Sequence, residues 1–176
     1  MDQTRIAPTE YHSFYEGYVR HADGKELIPL MKSQGEDLIE YWKSIPEAHA
    51  GLKYREGSWS IAQLMQHVND AERIFAYRAC AIGRGDKTPL PGFEENDYAE
   101  AAIADGLSLS HHIQEFRALR ASNVLLFKGF TEEALRQTGT ASGRPISVRA
   151  IGRILVGHAM HHMNIVKKRY EPLWNQ

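Results

Sequence analysis

Three histidines fall within five positions of the stretch GHAMHH at residues 157–162: His158, His161 and His162. Neutral imidazole is the commonest protein ligand for transition metals, so the question is which face of which element these rings occupy. Spacing alone is weak evidence for a site. The surrounding run, VRAIGRILVGHAMHHMNIVKKRY, has a helical seam through Ile151, Leu155, His158, His162, Ile165 and Arg169. His158 and His162 therefore stand where apolar residues should be buried. Their i,i+4 spacing stacks them on one side of the helix, as gripping one ion requires. His161 shares a face with His158, which leaves a 158/161 pair open, but 162 continues the seam and 161 falls to its flank. Two buried imidazoles without partners are costly, and mutual repulsion opposes protonating both. A metal accepting one lone pair from each removes that cost; the alternative is a pair of hydrogen-bonded core histidines.

The elements that must position these rings are helical. A short helix is expected over 9–20, and another from about Glu26 to Ile45, ended by Pro46. In SWSIAQLMQHVNDAERIFAYRACAIGRG, Ser60 and Gln63 form a capping-box pattern, and Gly83 and Gly85 stop the helix. Its inner seam is Ile61, Leu64, Val68, Ala71, Phe75, Arg78 and Ile82. A long stretch without periodicity, 84–106, follows. A further helix runs from about Leu107 to Lys128, TGTASGRP reads as a connection, and Ser147 can cap the last helix, which stops before Pro172. The expectation is an all-α fold: a four-helix bundle with an extra short N-terminal helix, as one domain over 1–176.

A third ligand should lie at the same depth on another helix. His67 is about seven residues into its helix, roughly 10 Å from the start at ~1.5 Å per residue, and His162 is roughly as far from the end of the last helix. The levels coincide only if these two helices are antiparallel, which an ordinary up-down-up-down order forbids. The segment 84–106 is long enough to cross back along the bundle, giving an up-down-down-up order in which His67, His158 and His162 meet. Three histidines with an open coordination position are the pattern of a catalytic metal. Asp70, three residues after His67, is a candidate to orient an imidazole or a metal-bound water, against the alternative of a solvated helix acid. Glu72 falls at the depth of Arg120 and reads as a buried ion pair, and Arg78 reads as a similar case. Trp59 and Phe75 read as core, and His111 and His112, at a helix start, as exposed. Pro91-Gly92-Phe93 stiffens the crossover, which can serve as connector or lid.

Composition narrows the function. Hydrophobic residues make up 43%, charged residues 24%, and the net charge is −1. That balance gives no reason to expect nucleic acid as a partner. No run approaches the ~18 apolar residues that span a bilayer, so no membrane partner is expected. MDQTRIAPTEYHSF lacks the pattern of a signal peptide, and the one cysteine, Cys80, fits a reducing compartment, so a cytoplasmic location is expected.

The combination of W-S at 59–60, H-x-x-D-x-E-R at 67–73, the PGF loop and the terminal G-H-x-x-H-H resembles the DinB-like superfamily, across essentially the whole chain. The resemblance implies a four-helix bundle in the order argued above, and a metal triad at His67, His158 and His162. It also implies a homodimer and a divalent ion, zinc or nickel foremost, acting on a small-molecule substrate. Relatives include transferases and isomerases that use low-molecular-weight thiols, beside others described as metal-dependent hydrolases. The expected function is thus a metal-dependent enzyme activating a thiol or water, with a thiol-dependent S-transferase foremost. A hydrolase and a non-catalytic metal-binding stress-response module are the alternatives.

Overall fold

Ser60 forms the reciprocal cap that the sequence predicts: its Oγ accepts from Gln63 N at 3.0 Å, and Gln63 Oε1 accepts from Ser60 N at 2.9 Å. This detail comes from a computed structural model that describes residues 5–174. The reading of the amino terminus falls partly on 1–4, outside the described residues. The long helices are α2 (Leu27–Lys43), α3 (Ile61–Gly83), α5 (Leu109–Lys128) and α7 (Val148–Ile165). Ser147 caps α7 by accepting from Ala150 N at 3.1 Å.

Contacts at the helix ends fix the directions. Glu47, just past α2, accepts from Leu109 N at 2.9 Å, so α2 ends where α5 begins. Gly83 at the end of α3 lies against Phe130, just past the end of α5, so α3 and α5 are parallel. The Tyr170 hydroxyl, beyond α7, donates to Trp59 O at 2.8 Å, which makes α3 and α7 antiparallel. The order is up-down-down-up, as expected. α3 packs on both α5 and α7, and α2 packs on the same two.

A buried ion pair joins three of the helices. Arg120 donates to Glu72 through Nε (3.2 Å) and Nη2 (2.5 Å), and through Nη1 to Met31 O (3.1 Å). Asn123 Nδ2 donates to the same carboxylate at 2.7 Å. Such a network holds register, and removing one member would strand a buried charge.

Shorter elements depart from the expectations. The N-terminal helix is not continuous over 9–20: 3₁₀ turns at Pro8–Glu10 and Ser13–Tyr15 precede α1 (Glu16–Ala22), because His12 is extended and caps the second turn. The crossover carries a helix, α4 (Glu95–Ala101), too short to display a period. Past α6 (Glu132–Arg136), the connection contains an antiparallel hairpin, β1 (Thr138–Ala141) and β2 (Arg144–Ser147). Its two-residue turn, Ser142-Gly143, has φ of 52° and 71°, as the tight twisted hairpin turn demands. Four-residue strands without apolar alternation left no signal beyond that Ser-Gly pair. After Ile165 the last helix widens into a π-helical turn, Val166–Tyr170. Among the described residues no helix is long and apolar enough to cross a membrane.

Candidate metal centre

The antiparallel packing of α3 on α7 brings His67, His158 and His162 together. His158 Nε2 lies 3.0 Å from His67 Nε2 and 3.1 Å from His162 Nε2. The potential ligand atoms all lie within 4.8 Å of one another. All three rings are buried, at 5%, 7% and 8% exposure respectively. His161 stays on the flank, ring-to-edge with Tyr18 at 5.3 Å.

This geometry fits a metal better than hydrogen-bonded core histidines. A neutral imidazole nitrogen carries either one hydrogen or one in-plane lone pair, so His158 Nε2 cannot make two good hydrogen bonds at once. The Nδ1 atoms of His67 and His162 are buried without a partner among the described residues, and an ion held through Nε2 would not answer them. Metal–nitrogen bonds of about 2.0–2.1 Å imply ligand separations of roughly 2.9–3.4 Å between right and tetrahedral angles. The two separations from His158 fall in that range. Burial, reinforced by His161, pushes the His67 pKa down to about 4. Burial and the neighbouring imidazoles hold His158 and His162 well below the usual histidine value. Each ring is therefore neutral near pH 7 and keeps a lone pair to give.

A cavity of about 210 Å³ opens beside the triad, walled by Phe14, Tyr15, Tyr18, Phe93 and Glu95 as well as Trp59 and Phe75. Trp59 lies 4.8 Å from His67 between ring centroids, so Trp59 and Phe75 are walls of the site as well as packing residues. Tyr18 stands edge-on to His158 at 5.4 Å. It reaches there because α1 crosses α7 at Gly157, where a β-carbon would sit 1.9 Å from Tyr18 O. The glycine of GHAMHH thus admits the helix that roofs the site. A larger cavity, about 530 Å³ beside Leu27, Phe127 and Leu135, contains none of the three histidines.

Asp70 forms no hydrogen bond to the three histidines among the described residues and does not line the cavity beside them. Its carboxylate accepts from Gln66 Nε2 at 3.0 Å and lies 3.6 Å from Arg73, and burial raises its pKa. Arg78 is 2% exposed, yet it forms no ion pair among the described residues; its Nη2 donates to Pro91 O (2.8 Å) and Ser142 Oγ (3.0 Å). The expected ion pair at Arg78 is therefore replaced by neutral acceptors. His112 is buried rather than exposed, with Nε2 3.1 Å from Ala104 O, because the crossover folds over the start of α5. Tyr18 and Glu95 carry no signal in the sequence beyond, for Glu95, the length of the crossover, whereas Phe93 belongs to the Pro91-Gly92-Phe93 turn read there as connector or lid.

The model of the DinB superfamily matches residues 31–166. A curated protein of Geobacillus thermodenitrificans, named "Putative metal-dependent hydrolase", is 24% identical over 147 residues, covering 81% of this chain and 82% of its own. Among solved structures, YfiT from Bacillus subtilis superposes with a TM-score of 0.75 at 13% identity over 98% of both chains. It is described as "a probable metal-dependent hydrolase with an unusual four-helix bundle topology". A variant of the mycothiol-dependent maleylpyruvate isomerase gives a TM-score of 0.64 at 13% identity, over 92% of this chain and 68% of its own. At that identity the two structures speak to the fold.

Proposed function

Because the chain belongs to the DinB superfamily, we propose that it is a metal-dependent enzyme whose His67, His158 and His162 hold one divalent ion beside a small aromatic cavity. The observation that carries this reading is the clustering of three buried imidazoles, with the Nε2 atoms of His67 and His162 at 3.0 and 3.1 Å from that of His158. Nitrogen donors of this kind suit zinc or nickel. Such an ion supplies Lewis-acid chemistry, lowering the pKa of a water or thiol that reaches it.

The chain's own residues supply the rest. Trp59, Tyr18 and Phe75 cover the rings and limit bulk water. Glu95 is the carboxylate in the cavity wall, and its oxygens can take the proton released by the nucleophile. Asp70, with its bonds to Gln66 and Arg73, takes no part in this reading. Hydrolysis is the leading reaction class, supported by the name of the curated relative that spans four-fifths of the chain. Thiol-dependent transfer or isomerisation is the second reading, favoured by the fold shared with a mycothiol-dependent isomerase.

The test is the metal content of the untagged full chain beside His158→Ala and His161→Ala. About one ion per chain is expected in the parent and in His161→Ala, with loss in His158→Ala. Equal content in all three, or none after zinc or nickel is offered to chelator-treated protein, would overturn the centre. Ester and amide substrates, run beside thiols with electrophilic acceptors, then separate the two reaction classes.

A further inference from the structure

The guanidinium of Arg78 is a buried charge that forms no ion pair among the described residues. Arg120, Arg73 and Arg149 meet the carboxylates of Glu72, Glu115 and Glu10. Arg78 instead meets a carbonyl, the hydroxyls of Ser142 and Tyr15, and two ring faces, with Cζ 5.3 Å from the Phe75 centroid and 5.9 Å from that of Phe93. Among the described residues no carboxylate lies within ion-pair distance of it. Arginine stays protonated in proteins, so the charge persists, and the carboxylate of Glu95 in the same cavity stands beyond ion-pair distance of it. Burying an ion uncompensated is costly, and this one stands in a cavity wall. That cavity, about 320 Å³, also has Arg144 and Ser142 in its lining and shares Phe14, Tyr15, Phe93 and Glu95 with the cavity at the triad. One phenyl ring spans the two sites: Phe75 lies 6.5 Å from His158 and 5.3 Å from Arg78 Cζ.

Resting on the metal-centre reading for what happens at the other end, we propose that Arg78 receives the carboxylate of a small substrate lying along this aromatic cleft, so that its reacting bond meets the triad. The planar fork of arginine matches a carboxylate, and a charge-assisted pair is stronger and more directional than the neutral contacts present. Exposed Arg144, at the hairpin, lines the same cavity and offsets the negative charge of exposed Glu95 there, leaving the guanidinium of Arg78 as the excess charge. The aromatic walls suit an apolar body between carboxylate and reacting group. Ser142 and Pro91 hold Arg78 from the hairpin and the crossover, so both short elements serve recognition as well as connection.

The experiment compares 3-phenylpropionate with its uncharged amide, 3-phenylpropionamide, by calorimetric or NMR titration of the full chain, as isolated and after chelator treatment. The carboxylate is expected to bind at least about tenfold more tightly than the amide in both states. Arg78→Met should bring that ratio to about one, while Ser142→Ala, which keeps the guanidinium, preserves it. If Arg78→Met does not fold, Arg78→Lys, which keeps charge but loses the fork, should lower the ratio by several-fold. A parent ratio near one, or a ratio that survives removal of the guanidinium, would overturn the proposal. So would carboxylate binding that requires metal, since coordination would then explain it. A merely structural Arg78 would change both affinities together and leave the ratio intact. Because the ratio is read without metal as well as with it, failure of the metal centre leaves this result interpretable.

Discussion

At the scale of the residue, His158 is the hinge of the site, in contact through one nitrogen with the other two rings. Its neutrality has a consequence for stability. In the folded, metal-free chain burial holds His67 at about 4 and the other two well below the usual value, whereas an unfolded histidine titrates near about 6.5. Between those values the unfolded chain binds more protons than the folded one, so stability falls as pH is lowered through that window and is fully present above it. The urea midpoint of chelator-treated protein should therefore drop between pH 7.5 and 5, and His162→Ala should flatten that drop; an unchanged slope would contradict the depressed values. The rings themselves were legible because two of them interrupt an apolar seam, a pattern that burial makes costly and therefore informative. Arg78 was misread for the same reason: a seam position announces burial, but not whether the partner is an acid or a carbonyl.

At the scale of the element, each segment of the site has a different tolerance for change. α7 carries two ligands and, at Gly157, the crossing of α1. A methyl group there meets backbone rather than a flexible side chain, so Gly157→Ala should cost about 3 kcal/mol in denaturant unfolding. It should also displace Tyr18 from His158, which a larger cavity in a structure of the variant would register. Gly157→Ala with unchanged stability would mean that α1 does not pack as described. The Glu72–Arg120 pair gives a second prediction: Arg120→Met alone should destabilise by about 3–5 kcal/mol, leaving the buried Glu72 carboxylate with Asn123 but without a counter-charge. Adding Glu72→Leu should recover much of that loss. The long helices were readable because their caps and seams are local properties of the chain. The hairpin and α4 were not, since each is held by distant contacts: Leu90 N donates to Thr140 O at 2.9 Å, and Gln63 Nε2 to Ala99 O at 3.1 Å.

At the scale of the whole molecule, the crossover decides the function that the bundle can support. Matching the depths of His67 and His162 required antiparallel α3 and α7, and a chain length of 84–106 made that order reachable, so the topology followed from two histidines and one long connection. What fills the cleft did not follow, because its walls are assembled from α1, the crossover and the hairpin tip, three places whose meeting is written in no single stretch. This division has an evolutionary meaning. The proposed ligands stand on the long helices, while much of the surface that would meet a substrate stands on short insertions between them. Lineages can therefore exchange the hairpin or lengthen the crossover, and so acquire a new diet of small molecules, without disturbing the helices that bear the histidines.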